Sequence, residues 1–201
     1  MIDPATIKAP PLSLLFVKTS TSFSKAIMWG FNDPVSHLGV DLAALETVVH
    51  SDLLGLHAMQ RLKFLESHVV VATFNVWLDE PVRLKAQQGL LARANAAKDP
   101  DYDYGAFAYL TYRAALRKVF GAGLPAKNPW QSGHEYLCTE AAYFLNAVVI
   151  EGTGRSLFTT DLDLAAMTPW QLYGKLKVNA AGANELDLRG CTITRAPHGN
   201  G

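Results

Sequence analysis

The chain has 201 residues, 49% of them hydrophobic, with 18 basic and 18 acidic side chains and a formal net charge of zero. That is enough apolar material for one well-buried core, and with no block of like charge, bulk attraction to nucleic acid or an anionic bilayer is not the basis of its function. No run reaches the roughly 18 apolar residues of a membrane span, and Met1 to Ala5 lacks the basic and apolar segments of an export signal.

Pro10 and Pro11 close a short leader before Leu12 to Val17, an apolar run that reads as a buried strand. Thr19 to Thr21 offer N-caps for a helix over residues 22–31, which Asn32-Asp33-Pro34 ends, because the residue before proline is pushed out of the helical region. Ser36 to Val40 is extended. Further strands are predicted at 46–51, about 55–61 and 68–77, separated by short polar or glycine-containing joints, so an antiparallel meander is expected. From Glu80 to Ala97 Ala, Leu, Gln, Lys and Arg dominate, with Pro81 in the first turn of a helix. A third helix is expected from Tyr102 to Phe120, ending at Gly121-Ala122-Gly123.

The stretch His134 to Leu145 then places one of only two cysteines where a loop meets a helix. Ala141, Ala142, Phe144, Leu145, Val148 and Val149 recur at helical spacing, so a helix should run to about Ile150. A thiol in its first turn would sit among unpaired backbone N–H groups at the positive end of the macrodipole, where the thiolate is favoured. The same pattern also describes a cysteine buried as a small hydrophobe. Residues 151–155 form a turn cluster, and Met167 to Tyr173 reads as a short capped helix with Pro169 first. Residues 1–178 are expected to form one domain. Residues 179–201 read as a weakly specified tail in which 186–194, carrying Cys191, adds an edge strand.

A cysteine that attacks a carbonyl needs a base, and the base needs a third group to hold its tautomer and orientation. Six histidines are available. His37 begins a strand beside Gly39, and His50 ends the next one. If those strands pair around residues 41–45, the start of one faces the end of the other and the imidazoles become neighbours on one face. His57 and His134 are fallbacks for the orienting role. His68 and His198 read as solvent or edge residues, Cys191 as non-catalytic, and Glu140 as a partner of the helix dipole. His37, His50 and His57 lack carboxylates or thiols at ligand spacing, so no metal and no other cofactor is expected. The aromatics Trp29, Trp130 and Trp170 suit a core, a substrate groove or a partner surface.

The order of strand, short helix, Ser36-His37-Leu38-Gly39-Val40, a second strand with a polar residue after Val48-Val49, a long gap, and Tyr136-Leu137-Cys138-Thr139-Glu140 opening a helix resembles the circularly permuted branch of NlpC-type papain-like proteins. That branch includes bacterial cysteine amidases and the lecithin retinol acyltransferase-like proteins. The likeness covers about Leu12 to Tyr173, with looser counterparts at Tyr102-Asp103-Tyr104 and Thr168 to Leu172. It implies an α+β, papain-like fold in which an antiparallel sheet of about four to six strands packs on helices. It also implies Cys138 as nucleophile and backbone oxyanion donor, His37 as general base and acid, and His50 as orienting third residue. At the position of His50 the bacterial members usually carry Glu, and the acyltransferase-like branch carries His.

The function expected from the resemblance is a cysteine peptidase or amidase acting through an acyl-enzyme, with peptidoglycan stem peptides as a candidate substrate. Its partner would be a peptide or an acylated small molecule, with no nucleic acid and no integral membrane segment. The missing export signal points to a cytoplasmic protein, or to one delivered by a larger assembly such as a phage tail and hence virion-associated. Two alternatives stand beside this reading: lipid acyl transfer or lipid-amide hydrolysis, and a non-enzymatic structural component of an assembly.

Overall fold

Leu12–Lys18 forms β1, whose apolar run is buried on both faces because it lies inside a six-stranded sheet of order β4-β3-β2-β1-β5-β6. The other strands are β2 (His37–Leu42), β3 (Thr47–Asp52), β4 (Gly55–Gln60), β5 (Val69–Trp77) and β6 (Glu185–Asp187). The helices are α1 (Ser22–Phe31), α2 (Arg61–Ser67), α3 (Glu80–Ala96), α4 (Glu140–Thr153) and α5 (Pro169–Tyr173). The computed structural model describes residues 11–52, 55–96, 112, 116, 118, 139–158, 167–176 and 185–188. The class is α+β, with no helix among the described residues long and apolar enough to cross a membrane.

The period-two alternation of the strands sorts their side chains onto two faces. Leu14 and Phe16 of β1, Leu38, Val40 and Leu42 of β2, Val49, Leu56, Phe74 and Val76 turn to one side. There they form the main core with Ala86 and Leu90 of α3, Ala141, Ala142, Leu145 and Val149 of α4, and Leu172 of α5. Helices α3 and α4 run antiparallel, as Arg93 over the Phe144 ring and Lys85 beside Glu151 show. On the other side Leu15, Val17 and Val48 meet Phe64 of α2 in a smaller cluster. His37, Gly39, His50 and His57 belong to this second face, because cross-strand partners share a face and the register pairs Val17 with His37, Gly39 with His50, and His50 with His57.

Local signals explain several ends. Thr21 caps α1 by accepting from the Ser24 N–H at 3.1 Å, and Asn32 stops it in the left-handed conformation, φ 56°. Thr168 and Gln171 make a capping box ahead of Pro169, and Gly154 closes α4 at φ 67°. Helix α4 therefore runs to Thr153, about a turn past the end expected at Ile150.

The sheet departs from the expected meander in three ways. Strands β1 to β4 do follow one another, but the fourth joint is α2, and it carries the chain across the second face so that β5 pairs with β1 on the far side. Arg61, expected to end β4, instead opens α2, and its Nε donates to both carboxylate oxygens of buried Asp41 at 3.0–3.1 Å. The edge strand β6 runs parallel to β5, so the sheet is mixed rather than antiparallel; residues 189–194 of the expected strand lie outside the described residues. Of the helix expected over 102–120, only Tyr112, Leu116 and Lys118 are among the described residues.

Gly39 marks a close approach. A Cβ there would sit 2.7 Å from Val48 Cγ1 and 3.0 Å from the Phe64 ring. Gly39→Ala is expected to cost about 1–3 kcal/mol by overpacking, read as a lower urea midpoint with an unchanged slope. An unaltered midpoint would show that Phe64 yields freely.

Candidate active site

The hairpin of β2 and β3 is closed by a single turn of 3₁₀ helix, Ala43–Leu45, with Glu46 left-handed at φ 48°. This length sets Gly39 opposite His50 and brings His37, two residues earlier on the same face, against it. His37 Nε2 and His50 Nδ1 are 3.0 Å apart, with the rings nearly perpendicular at 88°. One nitrogen donates and the other accepts. Because the bond uses Nε2 of His37, Nδ1 is the atom left to meet a thiol.

His57 stands across from His50, with ring centroids 4.2 Å apart, and its Nδ1 donates to the Gly55 carbonyl at 3.0 Å. Its ring packs on His50, and it is His50 that bonds to His37. His68 departs from the solvent or edge position expected of it. It is half-buried, stacked on Phe64 at 4.0 Å and on His37 at 5.4 Å. Three imidazoles, those of His37, His50 and His68, thus surround Phe64, and His57 packs on His50 beside them. A Phe at 64 followed four positions later by His68 is a helical-spacing signal, but it is readable only once residues 61–67 are known to be a helix.

Burial is the main electrostatic influence here. It holds His37 down to about 3, helped by the neighbouring His68 and His57, and His50 down to about 2, helped by His37, His57 and His68. His68 is lowered by the same cause, with its bond to the Phe64 carbonyl acting in the opposite direction. Both members of the bonded pair are therefore neutral at pH 7, the form that can accept a proton. His50 is fully buried, and its Nε2 has no hydrogen-bond partner among the described residues. Asp52, two residues along β3, is on the same face, and with His50 and His57 it forms a group whose donor atoms lie within 4.8 Å of one another. The carboxylate missing from the sequence reading is supplied by β3 itself.

Cys138, His134, Cys191, His198 and Trp130 lie outside the described residues. Helix α4 begins at Glu140, with Thr139 as a buried N-cap that makes no side-chain capping bond, so the regular helix starts two residues after Cys138. The body of α4 packs on the face of the sheet opposite the imidazoles. No known protein family matches the chain, and neither curated proteins nor solved structures include a match.

Proposed function

We propose that the chain is a cysteine hydrolase of amide bonds, built as a circularly permuted NlpC-type papain-like domain, with Cys138 as nucleophile, His37 as base and His50 as the group that orients it. The observation that carries this reading is the 3.0 Å bond from His37 Nε2 to His50 Nδ1, which holds a neutral imidazole with Nδ1 left over.

In the proposed reaction His37 Nδ1 takes the thiol proton, and sulfur forms a bond to the carbonyl carbon of the substrate. The tetrahedral adduct collapses, the C–N bond breaks, and the amine leaves with the proton that His37 had taken. Water then attacks the thioester, giving the acid and restoring the thiol. The backbone N–H of Cys138 is the first candidate oxyanion donor. His50 brings no negative charge to the imidazolium, so the thiolate itself is the counter-charge.

A second reading, transfer or hydrolysis of an acyl group on a lipid, is favoured by one residue. The orienting group is a histidine, as in the acyltransferase-like branch. The test begins with a thiol-directed probe at pH 7, which is expected to label Cys138 much faster than Cys191. Equal slow labelling of both overturns the cysteine mechanism. Release of new amines from wall peptides supports the first reading, and release of fatty acid from an acyl lipid the second.

A further inference from the structure

We propose that His50, His57 and Asp52 form a binding site for a divalent transition metal of the zinc class, and that metal bound there switches off the His37 base. The site lies on the same sheet face as the proposed base, and its regulatory half rests on the hydrolase reading given above.

The arrangement of the two histidines carries the proposal. A metal-bound imidazole usually has its other nitrogen held by a carbonyl, a carboxylate or another outer partner, which fixes the tautomer and aims the lone pair. His57 has that form, because Nδ1 donates to the Gly55 carbonyl at 3.0 Å and leaves the lone pair on Nε2. His50 has it too, because Nδ1 is engaged by His37 at 3.0 Å while Nε2 is buried with no partner among the described residues. A polar atom left so is costly in any fold, and a ligand that takes its lone pair removes the cost. The β3–β4 register sets the two rings directly opposite each other, with centroids 4.2 Å apart.

Asp52 completes the set. Its carboxylate is 3.7 Å from His57 Nδ1, and the side chains of His57 and Asp52 are 26% and 38% exposed, so an ion has a route from solvent. Two imidazoles and a carboxylate are a zinc donor set that leaves a fourth position for water. Ligands at the usual zinc distances stand roughly 3.3 Å apart around a tetrahedron. One nitrogen of each imidazole and an oxygen of Asp52 lie within 4.8 Å of one another, a spread that side-chain rotation can close to that spacing.

The consequence for the neighbouring base follows from counting protons. A neutral His50 that gives its Nε2 lone pair to a metal must carry its proton on Nδ1, so it donates to His37 Nε2. His37, accepting there, carries its own proton on Nδ1, and that atom no longer accepts from a thiol. Without metal the opposite tautomer is open to the pair, and Nδ1 is a base.

The experiment uses the full-length chain stripped with a chelator, then titrated with Co²⁺ followed by its visible absorption and with Zn²⁺ by equilibrium dialysis. One metal ion per chain is expected in wild type and in Cys138→Ala. Losing a ligand should weaken binding by more than the roughly ten- to hundredfold that loss of an outer partner costs, so Asp52→Asn and His57→Ala should both fall by at least that factor. Saturating Zn²⁺ should slow probe labelling of Cys138 by about tenfold or more in wild type and leave it unchanged in Asp52→Asn. Circular dichroism checks that each variant is folded, and half-exposed Asp52 provides the readout should His57→Ala not fold. Absence of uptake, uptake equal in wild type and Asp52→Asn, or loss of uptake in Cys138→Ala overturns the site. Specific uptake without slower labelling overturns the switch. A Cys138 that is unreactive in metal-free protein instead refutes the hydrolase reading, and metal uptake is measured independently of it.

Discussion

Replacing His37 with alanine is expected to slow acylation of Cys138 by about 10²- to 10⁴-fold, the range typical of a positioned proton-transfer group. The argument is geometric. His37 combines a nitrogen fixed by His50 with a second nitrogen left over, and its place as first residue of β2 puts it at the end of the sheet. His68 is close, with its ring stacked on that of His37, yet its Nδ1 is engaged by the Phe64 carbonyl and the Ser67 hydroxyl. It should not rescue the reaction. The substitution also leaves His50 Nδ1 without its bond, a loss of about 1–3 kcal/mol, so thermal unfolding must be followed beside the kinetics. A variant that stays folded and acylates at the wild-type rate removes His37 from the chemistry.

Acid is expected to destabilise the protein strongly as pH falls from 6.5 to 5. Free imidazole takes up a proton near 6.5, whereas burial holds the folded His37 and His50 far below that value. The unfolded chain therefore binds more protons than the folded one as pH drops through 6.5. The stability contributed by neutral, buried imidazole is fully present above 6.5 and drains away as pH falls toward the folded value, about 3 for His37. At pH 5 the loss is about 2 kcal/mol for each histidine that must stay neutral. Two such groups remove a large part of the 5–15 kcal/mol typical of a domain. His68 is lowered as well and acts in the same direction. Urea unfolding at pH 7 and pH 5 in chelator-containing buffer measures this directly, and equal stability at the two values would mean that the pair is hydrated in solution.

The pairing of His37 with His50 could be anticipated from sequence because it depends on short-range geometry. Thirteen positions separate them, the strands between are marked by Leu38, Val40, Val48 and Val49, and the turn is short, so register follows from counting. The cap at Thr21, the box at Thr168 and Gln171 and the apolar stripe of α4 are local in the same sense. Helix α2 was not legible. Arg61 to Ser67 is seven residues with Phe64 as its one buried side chain, too short to show a period, and its stability comes from packing Phe64 on Gly39 and Val48. Missing that helix meant missing His68 and the crossing that takes β5 to the far side of β1.

What the amino-acid order determined by itself was the set of strands β1 to β5, the helices with strong caps or stripes, and the nearness of two imidazoles across one hairpin. These rest on hydrogen-bond geometry and side-chain periodicity within a few tens of residues. The tertiary structure alone decided which face of the sheet each group occupies relative to the helices. It set the imidazoles under α2 with Asp52 beside them, and the body of α4 on the opposite face. The physical reason is that the inner strands β1 to β3 are buried on both faces, so apolar alternation there marks two equivalent sides. The choice between them is made by long-range packing, which no local spacing records.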